Sequence, residues 1–313
     1  MFEGFESFSI TTETDPVVIN IFGRIKRSPG SPLPPLLLLH GFPQSHHIWH
    51  EVTRQLGQSC CYSIVLIDLR GYGSSSKPDK VHHYAKSAMA RDCVAVMDSL
   101  GFTDQFFVCG HDRGARVAHK LCVDFPARVQ RALLLDICPT LAMYTSSSSS
   151  SSSSSGQQLA ASYFHWFFLI QPEPLPERMI SGCARVFGEF CLGIEDEKDR
   201  ASFDETCLEH YLSALERPDA VHSMCQDYRA SATLDLDEAR DDLGRGRLIQ
   251  CPLRVLWAGQ GVIGKYFDPL EEWRAVTDDG AVVDGRSVDA NHFIPEAAPD
   301  VVVSNILDFF FPS

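Results

Sequence analysis

At 313 residues, 44% of them apolar, the chain has enough core material for one large α/β domain, with or without an insertion. A formal charge of −14 and the lack of any basic stripe exclude nucleic acid and anionic membranes as expected partners. No run approaches the ~20 apolar residues of a membrane span, and Met1-Phe2-Glu3-Gly4 opens no secretory signal. Eleven cysteines, scattered without a Cys-x-x-Cys pair or metal-like Cys/His spacing, predict reduced thiols in a cytoplasmic protein and no metal site.

Residues 5–12 and 17–25 read as two β-rich stretches forming an antiparallel opening. The run Leu36-Leu37-Leu38-Leu39 has no alternation, which suits a strand buried on both faces of a parallel sheet, and it leads into His40-Gly41-Phe42-Pro43-Gln44. An amphipathic segment at 49–56 and a strand at 63–69 follow, the latter ending in the glycine-rich Asp68-Leu69-Arg70-Gly71-Tyr72-Gly73-Ser74. Residues 89–100 are helical in pattern, stopped by Gly101 at a C′ position. A strand at 106–109, a helix at 115–124 and a strand at 131–135 come next. This alternation predicts an α/β fold built on a mostly parallel, eight-stranded sheet flanked by helices.

The alternation then breaks. The serine run 146–155 cannot pack a core and is expected to be a disordered loop. Residues 160–240 are helical and aromatic, without a convincing strand. Strands resume at 253–257 and near Ala281-Val282-Val283, and a helix at 300–310 follows Ala290-Asn291-His292-Phe293. The expected organisation is a core of 1–140 and 245–313 with a helical cap inserted at 141–244.

The chemistry gathers at Gly110-His111-Asp112-Arg113-Gly114, between a strand and a helix. A Gly-x-nucleophile-x-Gly turn in that setting is the nucleophile elbow of α/β-hydrolases. Asp in place of Ser moves the chemistry from a carbonyl towards a saturated carbon, where a carboxylate displaces a leaving group and forms an ester. The bland reading of Asp112 is a helix N-cap. Hydrolysis of the ester needs a base, and His292, beyond the last strand, is the candidate. Asp136, after the strand that follows the elbow helix, is preferred as its orienting acid over Asp268. The backbone N–H groups of Phe42 and Arg113 are the expected oxyanion hole. Arg113 and Arg116, beside the nucleophile and one helical turn on, suit a substrate carboxylate.

Beyond these residues, the chain resembles the fluoroacetate (haloacetate) dehalogenases of the α/β-hydrolase superfamily. The resemblance rests on His40-Gly41-Phe42-Pro43-Gln44, Asp68-Leu69-Arg70-Gly71-Tyr72-Gly73, Gly110-His111-Asp112-Arg113-Gly114-Ala115-Arg116 and Leu135-Asp136-Ile137. It extends to Phe164-His165-Trp166, to Cys225-Gln226-Asp227-Tyr228-Arg229-Ala230 and to Asn291-His292-Phe293-Ile294-Pro295. It implies that Asp112 displaces halide, that Arg113 and Arg116 hold the substrate carboxylate, and that His165, Trp166 and Tyr228 donate to the departing fluoride. It further implies a small halocarboxylate substrate, no cofactor, and allows a homodimer. The serine run and the 261–269 loop, with Lys265 and Tyr266, depart from the family pattern. Two rivals stay open: an epoxide hydrolase, for which Tyr211 beside Tyr228 would serve the epoxide oxygen, and a non-catalytic receptor for small acids.

Overall fold

The computed structural model describes residues 1–12, 17–57, 61–149, 160–259 and 261–311. Its eight strands are β1 (Glu6–Thr12), β2 (Ile19–Lys26), β3 (Leu36–Leu39), β4 (Ile64–Ile67), β5 (Phe106–His111), β6 (Val129–Leu135), β7 (Leu253–Ala258) and β8 (Val283–Val288). They form one sheet in the order β1-β2-β4-β3-β5-β6-β7-β8. The β1–β2 and β2–β4 pairs are antiparallel, and every pair from β4 to β8 is parallel.

The leucine run explains the layering. Leu37 and Leu39 enter one core, with Met89, Val96, Val117 and Leu121 from the helices Lys86–Ser99 and Arg113–Asp124. Leu36 and Leu38 enter the other, with Trp49, Val52, Val302 and Ile306 beside the helices His50–Leu56 and Pro299–Phe310. Alternate side chains of a strand point to opposite faces, so a strand with helices on both sides must be apolar at every position. Strand order reverses at β3, which lies between β4 and β5. The carboxyl ends of β3 and β5 therefore flank a crevice, the place where open α/β sheets bind ligands.

Two expectations are corrected. The last strand is not centred on Ala281-Val282-Val283 but runs from Val283 to Val288. It occupies the sheet edge, where Asp284, Arg286 and Ser287 face partly outward, so hydrophobicity marks only its beginning. The serine run does not start as a loop: residues 146–149 are the end of the helix Thr140–Ser149, and 150–155 lie outside the described residues. Extending a nucleated helix adds one hydrogen bond per residue fixed, which carries serine despite its modest propensity.

Among the described residues, the segment between β6 and β7 contains helices and no strand. Phe164–Leu169, Glu205–Leu215 and Pro218–Ser231 supply its contacts with the core around the crevice. No helix of the described residues is long and apolar enough to cross a membrane.

Candidate active site

Asp112 sits at φ 47°, ψ −112°, one of two non-glycine residues with positive φ among those described; Asp136, at φ 51°, is the other. Such backbone is costly for a residue with a side chain and persists only where its surroundings fix it. The surroundings here are three close approaches. A Cβ on Gly110 would come within 2.6 Å of Gly114 O, one on Gly114 within 2.4 Å of Leu39 O, and one on Gly41 within 2.6 Å of Asp112 Cβ. Asp112 occupies the N-cap position of the helix Arg113–Asp124, yet its side chain makes no capping bond. It turns instead to Phe42, whose N–H donates to Oδ1 at 2.9 Å.

Oδ2 of Asp112 faces His292, with Nε2 at 4.0 Å. His292 Nδ1 donates to Asp136 Oδ2 at 2.6 Å, and the other Asp136 oxygen accepts from Ala258 N–H at 2.8 Å. Asp268 is occupied elsewhere, accepting from Glu271 N–H as the N-cap of the helix Pro269–Arg274. Burial opposes charge on His292, but the hydrogen bond and charge of Asp136, with Asp112 adding to them, raise its pKa above the ordinary 6.5. Burial likewise opposes the Asp112 carboxylate, and the fields of His292, His111 and Arg113 with the Phe42 N–H outweigh it, so its pKa is lowered. The arrangement can hold an ionised carboxylate with one oxygen on a backbone donor and the other open to attack, beside a base fixed in one tautomer.

Both arginines are buried, Arg113 at 0% and Arg116 at 2% exposure. Arg113 is largely spoken for: Nε and Nη2 donate to the two oxygens of Asp227 at 2.8 and 2.7 Å, and Nη2 also reaches Asp227 O and Ser231 Oγ. Arg116 Nη1 donates to Thr140 Oγ1 at 2.5 Å. Arg113 Nη1 and Arg116 Nε and Nη2 are buried and have no hydrogen-bond partner. The Arg113 guanidinium lies 4.4 Å from the centre of the Tyr228 ring, and that of Arg116 lies 4.7 Å from the Trp166 ring. Unsatisfied buried donors on a cation are expensive, which marks this corner as suited to an anion.

A cavity of about 260 Å³ opens over Asp112, lined among others by Phe42, Asp136, Tyr163, His165, Tyr228 and His292. His165 stacks on Phe42 with centroids 5.9 Å apart and meets Tyr228 edge-on at the same separation. Burial lowers the His165 pKa to about 4, so the ring is neutral and keeps one N–H to donate. Trp166 does not line the cavity; it packs against Tyr163 and Tyr144. Neither arginine lines it either. Among the described residues, no hydrogen bond engages the His165 ring, the Trp166 indole N–H or the Tyr228 hydroxyl. Tyr211 does not line the cavity but packs behind its lining residues Leu192 and Phe293, and donates to Glu296 Oε1 at 2.6 Å. In the 261–269 loop, Val262 lines the cavity from the short helix Val262–Tyr266.

The α/β hydrolase fold model matches residues 34–180. A fluoroacetate dehalogenase of Burkholderia sp. is 36% identical over 312 residues, covering 99% of this chain and 95% of that protein. The chain belongs to the α/β-hydrolase superfamily, in the family of that dehalogenase. A soluble epoxide hydrolase of Corynebacterium sp. is 29% identical over 283 residues, covering 89% of this chain and 90% of its own. Among solved structures, a provisionally assigned α/β hydrolase from Nostoc sp. PCC 7120 matches with a TM-score of 0.84 and 39% identity, covering 100% of both chains.

Four residues near this hydrolase site were not singled out from the sequence. His111 Nε2 donates to His292 O at 2.8 Å and so holds the loop of His292; burial lowers its pKa to about 3, leaving it neutral. Tyr163 lines the cavity. Asp227 holds Arg113, and Glu296 takes Tyr211. His111 and Asp227 stand inside the quoted motifs, where an adjacent residue absorbed the attention; Tyr163 and Glu296 carry no local signal at all.

Proposed function

We propose that the protein hydrolyses the carbon–halogen bond of haloacetates, converting fluoroacetate to glycolate and fluoride through an ester on Asp112. The observation that carries this reading is the set of unpartnered guanidinium donors, Arg113 Nη1 and Arg116 Nε and Nη2, beside the elbow. An anionic substrate satisfies them; a neutral one leaves them stranded. The carboxylate enters beneath the Tyr228 and Trp166 rings that now cover the guanidiniums, and Arg116, with two free donors, is its main anchor.

Asp112 Oδ2 then attacks the halogen-bearing carbon from behind, and the carbon–halogen electron pair leaves with the halide. His165 and Tyr228, from the cavity wall, donate to the growing charge, which matters most for fluoride. His292 takes a proton from water as the oxygen adds to Asp112 Cγ. The negative charge of the tetrahedral adduct falls on Oδ1, already on the Phe42 N–H, with Arg113 N–H as second donor. Collapse breaks the ester bond, and glycolate leaves with the proton from His292. Asp136 keeps His292 in the tautomer that presents Nε2 as the base.

In this reading residues 141–244 are the cap, the partner is a small halocarboxylate, and the compartment is the cytoplasm. The ten described cysteines are free thiols, in keeping with that compartment. The sequence relationship to a soluble epoxide hydrolase gives a second reading some support, and so does the presence of both Tyr163 and Tyr228 in the cavity lining. Two tyrosines in the cavity that opens over Asp112 could protonate an epoxide oxygen, whereas Tyr211 is committed to Glu296. Incubation with fluoroacetate, followed by a fluoride electrode, decides between them. Fluoride release is expected; a flat trace with turnover of styrene oxide would transfer the assignment to the epoxide reading.

A further inference from the structure

Outside the cavity lining, three segments meet at one carboxyl group. Glu296 Oε1 accepts from the Tyr211 hydroxyl at 2.6 Å and from Gln44 Nε2 at 3.1 Å. Tyr211 stands on the inserted helix Glu205–Leu215. Gln44 lies two residues beyond Phe42, whose N–H holds Asp112, and its own N–H donates to Gly41 O at 3.0 Å. Glu296 is in the turn Ile294–Ala297, which continues directly from His292.

The hydrogen bonding around this group does not balance for an ion. Both donors crowd onto Oε1, while Oε2 is buried without a partner, and so is Gln44 Oε1. Among the described residues no ion pair reaches Glu296. A buried carboxylate with one bare oxygen and no countercharge is costly, and a proton removes the cost. That proton also makes Oε2 a donor, with an unused acceptor on the very side chain that already donates to Oε1.

We infer that Glu296 is a positioning residue, held as the neutral acid, that pins the inserted helix Glu205–Leu215 to the two loops carrying Phe42 and His292. Its link to catalysis rests on the function proposed above; its protonation does not. Burial, reinforced by Asp204 and opposed by the Tyr211 hydrogen bond, pushes the carboxyl up to about 8. The titratable groups around the seam are Asp204, Cys207 and Tyr211 on the inserted helix, His47 and His50 after Gln44, and His292 on the loop of Glu296 itself. Burial and the neighbouring His46 and His210 keep His47 neutral, with a pKa of about 3, so it supplies no countercharge.

The pH dependence has a fixed sign. With an ordinary value of 4.5 and a folded value of about 8, the folded chain binds a proton that the unfolded chain gives up between them. Stability from this site is therefore greatest below the ordinary value, declines as pH rises towards the folded value, and is level above it. Activity that needs the neutral acid falls once pH exceeds the folded value.

The test compares the wild type with Glu296→Gln, which keeps the shape and cannot ionise, across about pH 6 to 10. The wild-type infrared spectrum minus that of the variant should show the carbonyl band of a protonated carboxylic acid at neutral pH. The melting temperature of the wild type should fall relative to the variant as pH approaches the folded value. In the dehalogenation assay, the wild-type kcat should drop about tenfold per unit above that value, while the variant stays level there. Tyr211→Phe removes a bond that favours the ionised form, so it should move the limb to higher pH; this arm also covers a glutamine variant that does not fold. Absence of the band, parallel melting profiles, or a limb that neither variant moves would each overturn the inference. If the band and melting behaviour hold while no haloacid is turned over, the proposed function fails and the neutral acid stands.

Discussion

At His292 the imidazole is held between a carboxylate that orients it and a carboxylate it faces across 4.0 Å. Its side chain is one-third exposed, at 33%, so water reaches the ring while the Asp136 bond stays sheltered. A base must be neutral to take a proton, and its raised pKa means that it becomes neutral only above the ordinary imidazole range. The hydrolytic half of the reaction should therefore be lost as pH falls through that raised value, giving an acid limb above 6.5. Replacing His292 by Asn should remove the limb and leave the ester intact, so that a covalent adduct accumulates on Asp112 and is seen by intact mass. Its absence under substrate would deny His292 the part of base or Asp112 that of nucleophile. The elbow was legible because its constraint is local: Gly110, Asp112 and Gly114 lie within five residues, and the glycines are dictated by backbone contacts of 2.6 Å or less. The state of Arg113 was not. Nothing in Arg113-Gly114-Ala115-Arg116 says that Asp227, more than a hundred residues on, consumes most of the donors of one arginine and spares the other.

At the level of elements, the same Asp227 joins the elbow helix to the inserted helix Pro218–Ser231. It takes Arg113 at 2.7 Å, Lys86 at 2.5 Å and the Tyr72 hydroxyl at 2.7 Å, all buried. Burial works against its charge, but the Arg113 and Lys86 cations bring its pKa well below the ordinary carboxylate range. Asp227→Ala would leave two buried cations without their shared partner, a loss of about 3–5 kcal/mol, measurable by denaturant unfolding. A loss near zero would mean that the network is not closed in solution. Strands and helices whose pattern is set by burial on both faces, such as β3 and β4, were read correctly from hydrophobicity alone. The edge strand β8 was misplaced because an edge imposes no such pattern on Asp284, Gly285, Arg286 and Ser287.

For the whole molecule, the charge of −14 repels an anionic substrate at long range, while the buried guanidiniums attract it only at short range. Salt screens the first more than the second. Raising ionic strength from about 0.01 to 0.15 M should increase kcat/KM for a haloacetate, with little change for a neutral epoxide; a decrease would mean that local attraction dominates the approach. What the sequence by itself determined was the chemistry whose constraints are short in chain distance. An Asp between two glycines can adopt the elbow, and an unbroken apolar run suits a strand covered on both sides. What only the tertiary structure decided was how distant groups share one space. It brought His292 to Asp136 rather than Asp268, tied up Arg113 while leaving Arg116 with two free donors, and set Glu296 between three segments. Those outcomes depend on burial and on which donors meet which acceptors, and neither quantity exists until the chain has closed on itself.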